Sequence, residues 1–376
     1  MTIPNFSPLP TDFSSFQLDR VPADPQLLAW NAADELLLAR LNDAQEQRDI
    51  LIVNDSFGAL AVALGKQVLG WWQDSAMARQ ALLANCPRNN CPIPTLIDSA
   101  DQLPSTISCV AMQIPKSTAL FEWQLSHLAQ RLSPDGKLYA LGMVKHLSEG
   151  HQKVMQRWFG HVNPGRAVKK ARCVELAEPV AATPPQAQTY RTSQGVQLIC
   201  EPGCFSAQRP DPGALAFLAC FNQLPAVDRV LDLGCGNGIL ALSYLTQFSQ
   251  ARAIGIDESA QAIASAFASA SANQLEDRLT LYHNNSVREL GLSDVPLVLC
   301  NPPFHQDTSL TDTIAEQMIQ DAANALASNG EFWMVGNRHL NYHQRLTRYF
   351  NDVTVRSAHP KFVVISARGV KHQRAL

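Results

Sequence analysis

Residues 230–242 read VLDLGCGNGILAL. A run rich in valine and leucine, 229–233, leads into three glycines at alternate positions, Gly234, Gly236 and Gly238, and these into a helical pattern. A strand, a glycine turn and a helix form the first half of a βαβ unit. The glycines let the chain turn sharply and approach a ligand at the carboxyl end of the strand. Nineteen residues beyond Gly238, at the end of the next expected strand, stands Asp257. A carboxylate there accepts hydrogen bonds from both hydroxyls of a ribose. No Gly-Lys-Ser/Thr follows, so this is not a phosphate loop, and Asp232 would repel a pyrophosphate while suiting an ammonium group. The loop, with Cys235 and Asn237 between its glycines, is a candidate cofactor site; the plainer alternative is a tight turn with no ligand.

Around this loop, apolar runs at 229–233, 253–256, 279–282, 297–300 and 331–335 alternate with helical patterns such as the alanine-rich 259–273. That alternation predicts an α/β fold, a parallel sheet covered on both faces. Residues 353–356 and 362–367 read as a closing antiparallel hairpin. The pattern also occurs earlier in the chain. Residues 50–64 read ILIVNDSFGALAVAL, and setting Gly58 on Gly238 places Leu60 on Leu240 and Ala61 on Ala241. CVAMQIPKS at 109–117 parallels LVLCNPPFH at 297–305, and LSPDGKLYALGMVKHL at 132–147 parallels LASNGEFWMVGNRHL at 326–340. Matches in common order indicate two copies of one fold. The first copy keeps only Gly58, and Ile52 stands in the place of Asp232. With two glycines and a carboxylate gone, it reads as degenerate and non-catalytic. The expected domains are residues 1–178, a Pro/Ala/Gln-rich linker at 179–194, and a catalytic domain at 195–376.

After the fourth strand of the second copy comes Asn301-Pro302-Pro303-Phe304-His305. Consecutive prolines fix a rigid extended turn, which here aims the Asn301 side-chain oxygen and the Pro302 carbonyl into the crevice. An exocyclic amine on a planar base is a poor nucleophile, because its lone pair is delocalised into the ring. Two acceptors holding its protons favour a pyramidal nitrogen and stabilise the charge that develops on it. Phe304 is placed to stack on the base. His305 is a candidate for a base or phosphate contact, or a plain turn histidine. A Pro-Pro stop after a strand is the structural alternative; QIPK at 113–116 of the first copy has lost the motif. The segment GCFSAQRPDPG, holding Gly203, Phe205, Asp211 and Gly213, is a candidate wall over the cofactor, or a plain loop.

The loop Asp232-x-Gly234-x-Gly236-x-Gly238 resembles the S-adenosylmethionine loop of Rossmann-like methyltransferases. In such folds the position of Asn285 contacts the adenine ring, although a simple turn asparagine is also compatible. A degenerate half, a linker, a GxF…DxG segment, DLGCGNG and NPPFH together resemble the bacterial rRNA guanine-N2 methyltransferases over essentially the whole chain. Within them, the NPPFHQ form and the length resemble the large-subunit methyltransferase G family, with the small-subunit methyltransferase C as nearest relative. The resemblance implies two tandem class I methyltransferase domains, the first degenerate and used to hold RNA or support the second. It also implies S-adenosylmethionine as methyl donor, a guanine N2 amine of 23S rRNA as acceptor, and a cytoplasmic location. Methylation of 16S rRNA, of adenine N6 or of a protein glutamine amide are rival readings within enzymes. A ribosome-assembly factor with a vestigial site is the rival outside them.

Composition bounds these readings. With 376 residues, 46% apolar and 17% charged, the chain is expected to be globular, with two domains. The N-terminus has no basic leader or apolar run, and no stretch is long enough to span a bilayer. Nine cysteines without zinc-site spacing are expected to be reduced and mostly buried, with no metal. Two fused copies favour a monomer. A net charge of −3 argues mildly against a nucleic-acid partner, yet residues 131–172 hold nine Lys/Arg against two acids, and 338–376 eight against one. Lys145, Lys169, Lys170 and Arg338 are therefore candidate RNA contacts, with Trp158, Phe159, Tyr349 and Phe350 interleaved among the basic residues.

Overall fold

A computed structural model describes residues 8–44, 49–207, 209–303 and 308–371. The chain divides into two units, Met1–Gln186 and Ala187–Leu376. The first runs α1 (Ala32–Ala44), β1 (Ile50–Val53), α2 (Ala59–Leu64), β2 (Val68–Trp72), α3 (Ala76–Arg88), β3 (Leu96–Ile97), β4 (Ile107–Gln113), α4 (Thr118–Ala129), β5 (Leu132–Met143), α5 (Glu149–Trp158), β6 (Phe159–Pro164) and β7 (Ala171–Pro179). The second begins with a hairpin, β8 (Gln188–Arg191) and β9 (Gln197–Cys200). It continues with α6 (Pro212–Leu218), β10 (Arg229–Leu233), α7 (Ile239–Gln247), β11 (Arg252–Asp257), α8 (Ala260–Ala272), β12 (Leu279–His283), β13 (Val295–Cys300) and α9 (Thr308–Ala325). It closes with β14 (Leu326–Asn337), α10 (Tyr342–Leu346), β15 (Phe350–Ala358) and β16 (Phe362–Val370).

The two sheets have the same order, β3-β2-β1-β4-β5-β7-β6 and β12-β11-β10-β13-β14-β16-β15. In each, five parallel strands are followed by two antiparallel ones. The central strands are apolar throughout because both faces are covered. In the second unit Val230, Leu297 and Leu299 pack on one side, and Leu231, Val298 and Cys300 on the other. Each such side chain contributes about 1.5–3 kcal/mol on burial. Ser75 and Ser259 cap equivalent helices, accepting from Ala78 N and Ala262 N, as the duplication predicts. All nine cysteines are free, and all but Cys91 are buried.

Two expectations need correction. The linker does not extend over 179–194. Gln188–Arg191 is a strand paired with Gln197–Cys200, and Tyr190 packs against the second core. The proline-rich composition of residues 179–185 hid the alternation after it. The aromatics among the basic residues are not exposed either: Trp158, Phe159, Tyr349 and Phe350 are buried core residues.

The survival of Gly58 in the first copy has a packing cause. Gly58 and Gly238 both adopt a left-handed backbone, φ 73° and 83°, at the start of α2 and α7. A Cβ on Gly58 would stand 2.7 Å from the Leu82 Cα, whereas the nearest atoms to one on Gly238 are Leu242 Cδ1 at 3.2 Å and Leu242 Cγ and Ala266 Cβ at 3.4 Å. Gly58→Ala is therefore expected to cost about 1–2 kcal/mol for the backbone and roughly 1–3 kcal/mol more for overlap. Gly238→Ala should cost less. Urea unfolding of the two variants checks the order, and equal losses would contradict it.

Candidate active site

The strand order reverses direction around β10, which lies between β11 and β13. Ligand crevices in open parallel sheets form outside the carboxyl ends of strands at such a point. Here the crevice collects the loop after β10, Asp257 at the end of β11, Asn285 after β12 and Asn301 after β13.

The loop is held by its own amides: Gly234 N and Cys235 N donate to Ile256 O at 2.9 and 3.0 Å, and Gly238 N donates to Cys235 O at 2.8 Å. Gly236 N donates to Asp257 Oδ2 at 2.8 Å, and Ser259 N donates to Oδ1 at 3.0 Å. The three glycines divide by role. A Cβ on Gly234 would lie 2.9 Å from Met318 Cε, and Gly238 is the close-packed helix start, but none of the described residues lies within 4 Å of where a Gly236 Cβ would be. Gly236 presents the open face of the loop.

Several expected ligand residues are turned inward. Asp232 is 1% exposed, and its Oδ2 accepts from Ala241 N at 3.0 Å. Through that oxygen it anchors the start of α7. Its Oδ1 is buried without a partner among the described residues. Asn237 donates to Tyr190 Oη at 2.7 Å and Cys200 Sγ at 3.2 Å, tying the β8–β9 hairpin to the loop. Cys235 is buried against Gly255. Phe205 is 52% exposed.

Asn301 gives the sharpest geometry. Its Nδ2 donates to Asp211 Oδ2 at 2.8 Å, and its Oδ1 is buried with no partner among the described residues. Asp211, expected as a wall over the cofactor, is 7% exposed and caps α6, accepting from Ala214 N at 2.8 Å. Asn285 Oδ1 is likewise buried and unpartnered among the described residues. Pro302 is buried and Pro303 exposed, while Phe304 and His305 lie outside the described residues. Lys145, Lys170 and Arg338 are exposed, and Lys169 pairs with Glu35 at 2.9 Å across the surface. An ion pair that exposed contributes little.

The first copy repeats this arrangement in closed form. Gln113, the counterpart of Asn301, donates from Nε2 to Asp34 Oδ1 at 2.6 Å, but its Oε1 accepts from Ser56 Oγ at 2.8 Å and Ser56 N at 3.3 Å. Ser56 stands where the second copy has Gly236. The lost carboxylate is also replaced: Asp55 Oδ2 accepts from Ala61 N at 3.0 Å, the bond that Asp232 makes to Ala241.

Among the described residues no group of three His, Cys, Asp or Glu is placed to hold a metal ion, and no helix is long and apolar enough to cross a membrane. Fold and crevice define a tandem class I methyltransferase, with an open second site and a closed first one. Residues 7–180 match the RLMG N-terminal domain family and residues 195–366 the methyltransferase small domain family. The ribosomal RNA large subunit methyltransferase G of Ectopseudomonas mendocina is 37% identical over 368 residues, 95% of this chain and 98% of the relative. That of Photobacterium profundum is 35% identical over 349 residues, 90% and 92%. The chain belongs to the ribosomal RNA large subunit methyltransferase G family. Its fold is also that of the T. Thermophilus 16S rRNA N2 G1207 methyltransferase, solved in complex with AdoMet and guanosine. That likeness has a TM-score of 0.72 and 22% identity, covering 86% of this chain and 88% of the other.

Asp232 gives the site a signature in stability. Burial pushes its carboxyl up to about 7 from the ordinary 3.8; the Ala241 amide opposes the rise and the charge of Asp257 adds to it. Between those pH values the folded chain holds a proton that the unfolded chain has released, so stability falls as pH rises through this window and levels off above it. Asp232→Asn, which keeps an acceptor for Ala241 N, should flatten the fall in thermal midpoint across that range. An unchanged slope in a pH series of melts would contradict the assignment.

Proposed function

We propose that this chain transfers a methyl group from S-adenosylmethionine to the exocyclic N2 amine of a guanine in 23S rRNA. The observation that carries the reading is the buried Asn301 Oδ1, without a partner among the described residues, at the head of a rigid Pro-Pro turn beside the glycine loop. The residues suit a nucleoside cofactor. Gly236 leaves the space that a Cβ would fill, Asp257 places a carboxylate beside the loop, and Asn285 Oδ1 lacks a donor among the described residues. When bound, S-adenosylmethionine supplies an electrophilic sulfonium methyl.

The chain's own part is to hold the amine. Asn301 Oδ1 accepts one amine proton and the Pro302 carbonyl is assigned the other, so the lone pair is drawn out of conjugation and towards the methyl. Fixed dipoles stabilise the charge that develops on nitrogen without reorganisation, and the rigid turn contributes proximity. The methylated ammonium is acidic and releases its proton to water, so no strong base is needed. The names of the family's members favour large-subunit rRNA over 16S rRNA, adenine N6 or a protein amide. Lys145, Lys170 and Arg338 are assigned to backbone phosphates, in a cytoplasmic enzyme that works as a monomer.

Labelled methyl from the cofactor should enter deproteinised 23S rRNA or large subunits, and not 16S rRNA or free protein. Asn301→Ala should lower the rate by about 10²–10³-fold with the fold intact by circular dichroism. No label in any RNA would overturn the reading. Label that survives Asn301→Ala would overturn the mechanism while leaving the enzyme class.

A further inference from the structure

We infer that Asp211 is a positioning residue for methyl transfer: its carboxylate fixes the Asn301 amide so that the oxygen, and not the NH2, faces the substrate amine. This rests on the reading of Asn301 given above. The terminal torsion of an asparagine has two broad, nearly equivalent wells, differing by exchange of O and NH2. In one, Asn301 offers an acceptor to the incoming amine. In the other it offers protons to protons, and the lone pair of the amine is captured as an acceptor, the reverse of what transfer needs.

A carboxylate oxygen accepts, so Asp211 Oδ2 at 2.8 Å from Nδ2 favours the first well over the second. Asp211 is itself held in place by the start of α6. Its Oδ2 also accepts from Ala214 N at 2.8 Å, Pro212 follows as the first residue of α6, and Phe217 of that helix stacks on Trp333 at 6.5 Å. The chain that orients Asn301 thus runs from the core of the second domain through α6 to one carboxylate oxygen.

The first domain repeats the pair with a different helix-start bond. There Asn31 Oδ1 accepts from Ala33 N at the start of α1, at 2.8 Å, while Asp34 accepts from Asn31 N through Oδ2 at 2.8 Å and holds the amide of Gln113 through Oδ1. The carboxylate–amide pair therefore recurs on an acid that bonds the helix start in another way. In both copies it turns the amide oxygen away from the acid. In the first copy that oxygen is taken by Ser56; in the second, Gly236 has no side chain to take it.

The test separates capping from positioning. Asp211→Ser keeps a good helix cap for Ala214 N but removes the carboxylate, and Asp211→Asn keeps an oxygen for both donors. Asp211→Ser should lower kcat by about 10²-fold, with the KM for S-adenosylmethionine and the calorimetric affinity for S-adenosylhomocysteine within about threefold of wild type. Its thermal midpoint should stay close to wild type, and Asp211→Asn should recover most of kcat. Wild-type kcat in Asp211→Ser, alongside an inactive Asn301→Ala, would overturn the positioning role and leave the reading of Asn301 standing. Joint loss of midpoint, cofactor affinity and kcat would make Asp211 structural and overturn the inference. Full activity in Asn301→Ala would instead overturn the underlying reading.

Discussion

Leu233 lies opposite Cys300 in the parallel ladder of β10 and β13, and the position of every candidate group follows from that register. Because the two strands end level, the glycine loop and the Asn-Pro-Pro turn leave the sheet side by side. On the other flank, Leu233 pairs with Ile256 of β11, so Asp257 ends up against Gly236. A slip by one residue would exchange the faces of every side chain and put Asp232 out of reach of α7. The apolar strands enforce the register by filling both faces, so the core and the site have one cause.

The same ladder exists in the first domain, where Val53 pairs with Met112. Degeneracy there is therefore not loss of the fold. The buried carboxylate beneath the helix survives as Asp55, the glycine needed for packing survives as Gly58, and the amide held by a carboxylate survives as Gln113 on Asp34. Among the changes are a serine side chain where the second copy has Gly236, and an amide oxygen that has found a partner. Features that stability requires were kept, and features that only a ligand requires were replaced. That division is the strongest reason to read Gly236 and Asn301 as the working parts of the second domain.

Much of this was legible in the chain. Parallel strands buried on both faces are continuous apolar runs, and 229–233 coincides with β10. By contrast, β14 starts at Leu326, five residues before the apolar run at 331, because its first turn of chain, Ala-Ser-Asn-Gly, is polar. Spacing located Gly236, Asp257 and Asn301 at one crevice but said nothing about which way neighbours point, so the bonds of Asp232 to the helix start and of Asn237 to the β8–β9 hairpin were not visible in it. The partner of Asn301 lies 90 residues away, and no local pattern reports such a pair. The duplication does not reveal it either, because the similar Asp34–Gln113 bond of the first copy is itself visible only in the structure.

The central claim is geometric: a carboxylate-held asparagine presents its oxygen to an exocyclic amine. A co-crystal structure with S-adenosylhomocysteine and guanosine tests it most directly. The account predicts the guanine N2 within about 2.7–3.2 Å of Asn301 Oδ1, with Nδ2 still on Asp211. A base amine bound elsewhere, or an Asn301 amide turned with its NH2 towards the base, would contradict it.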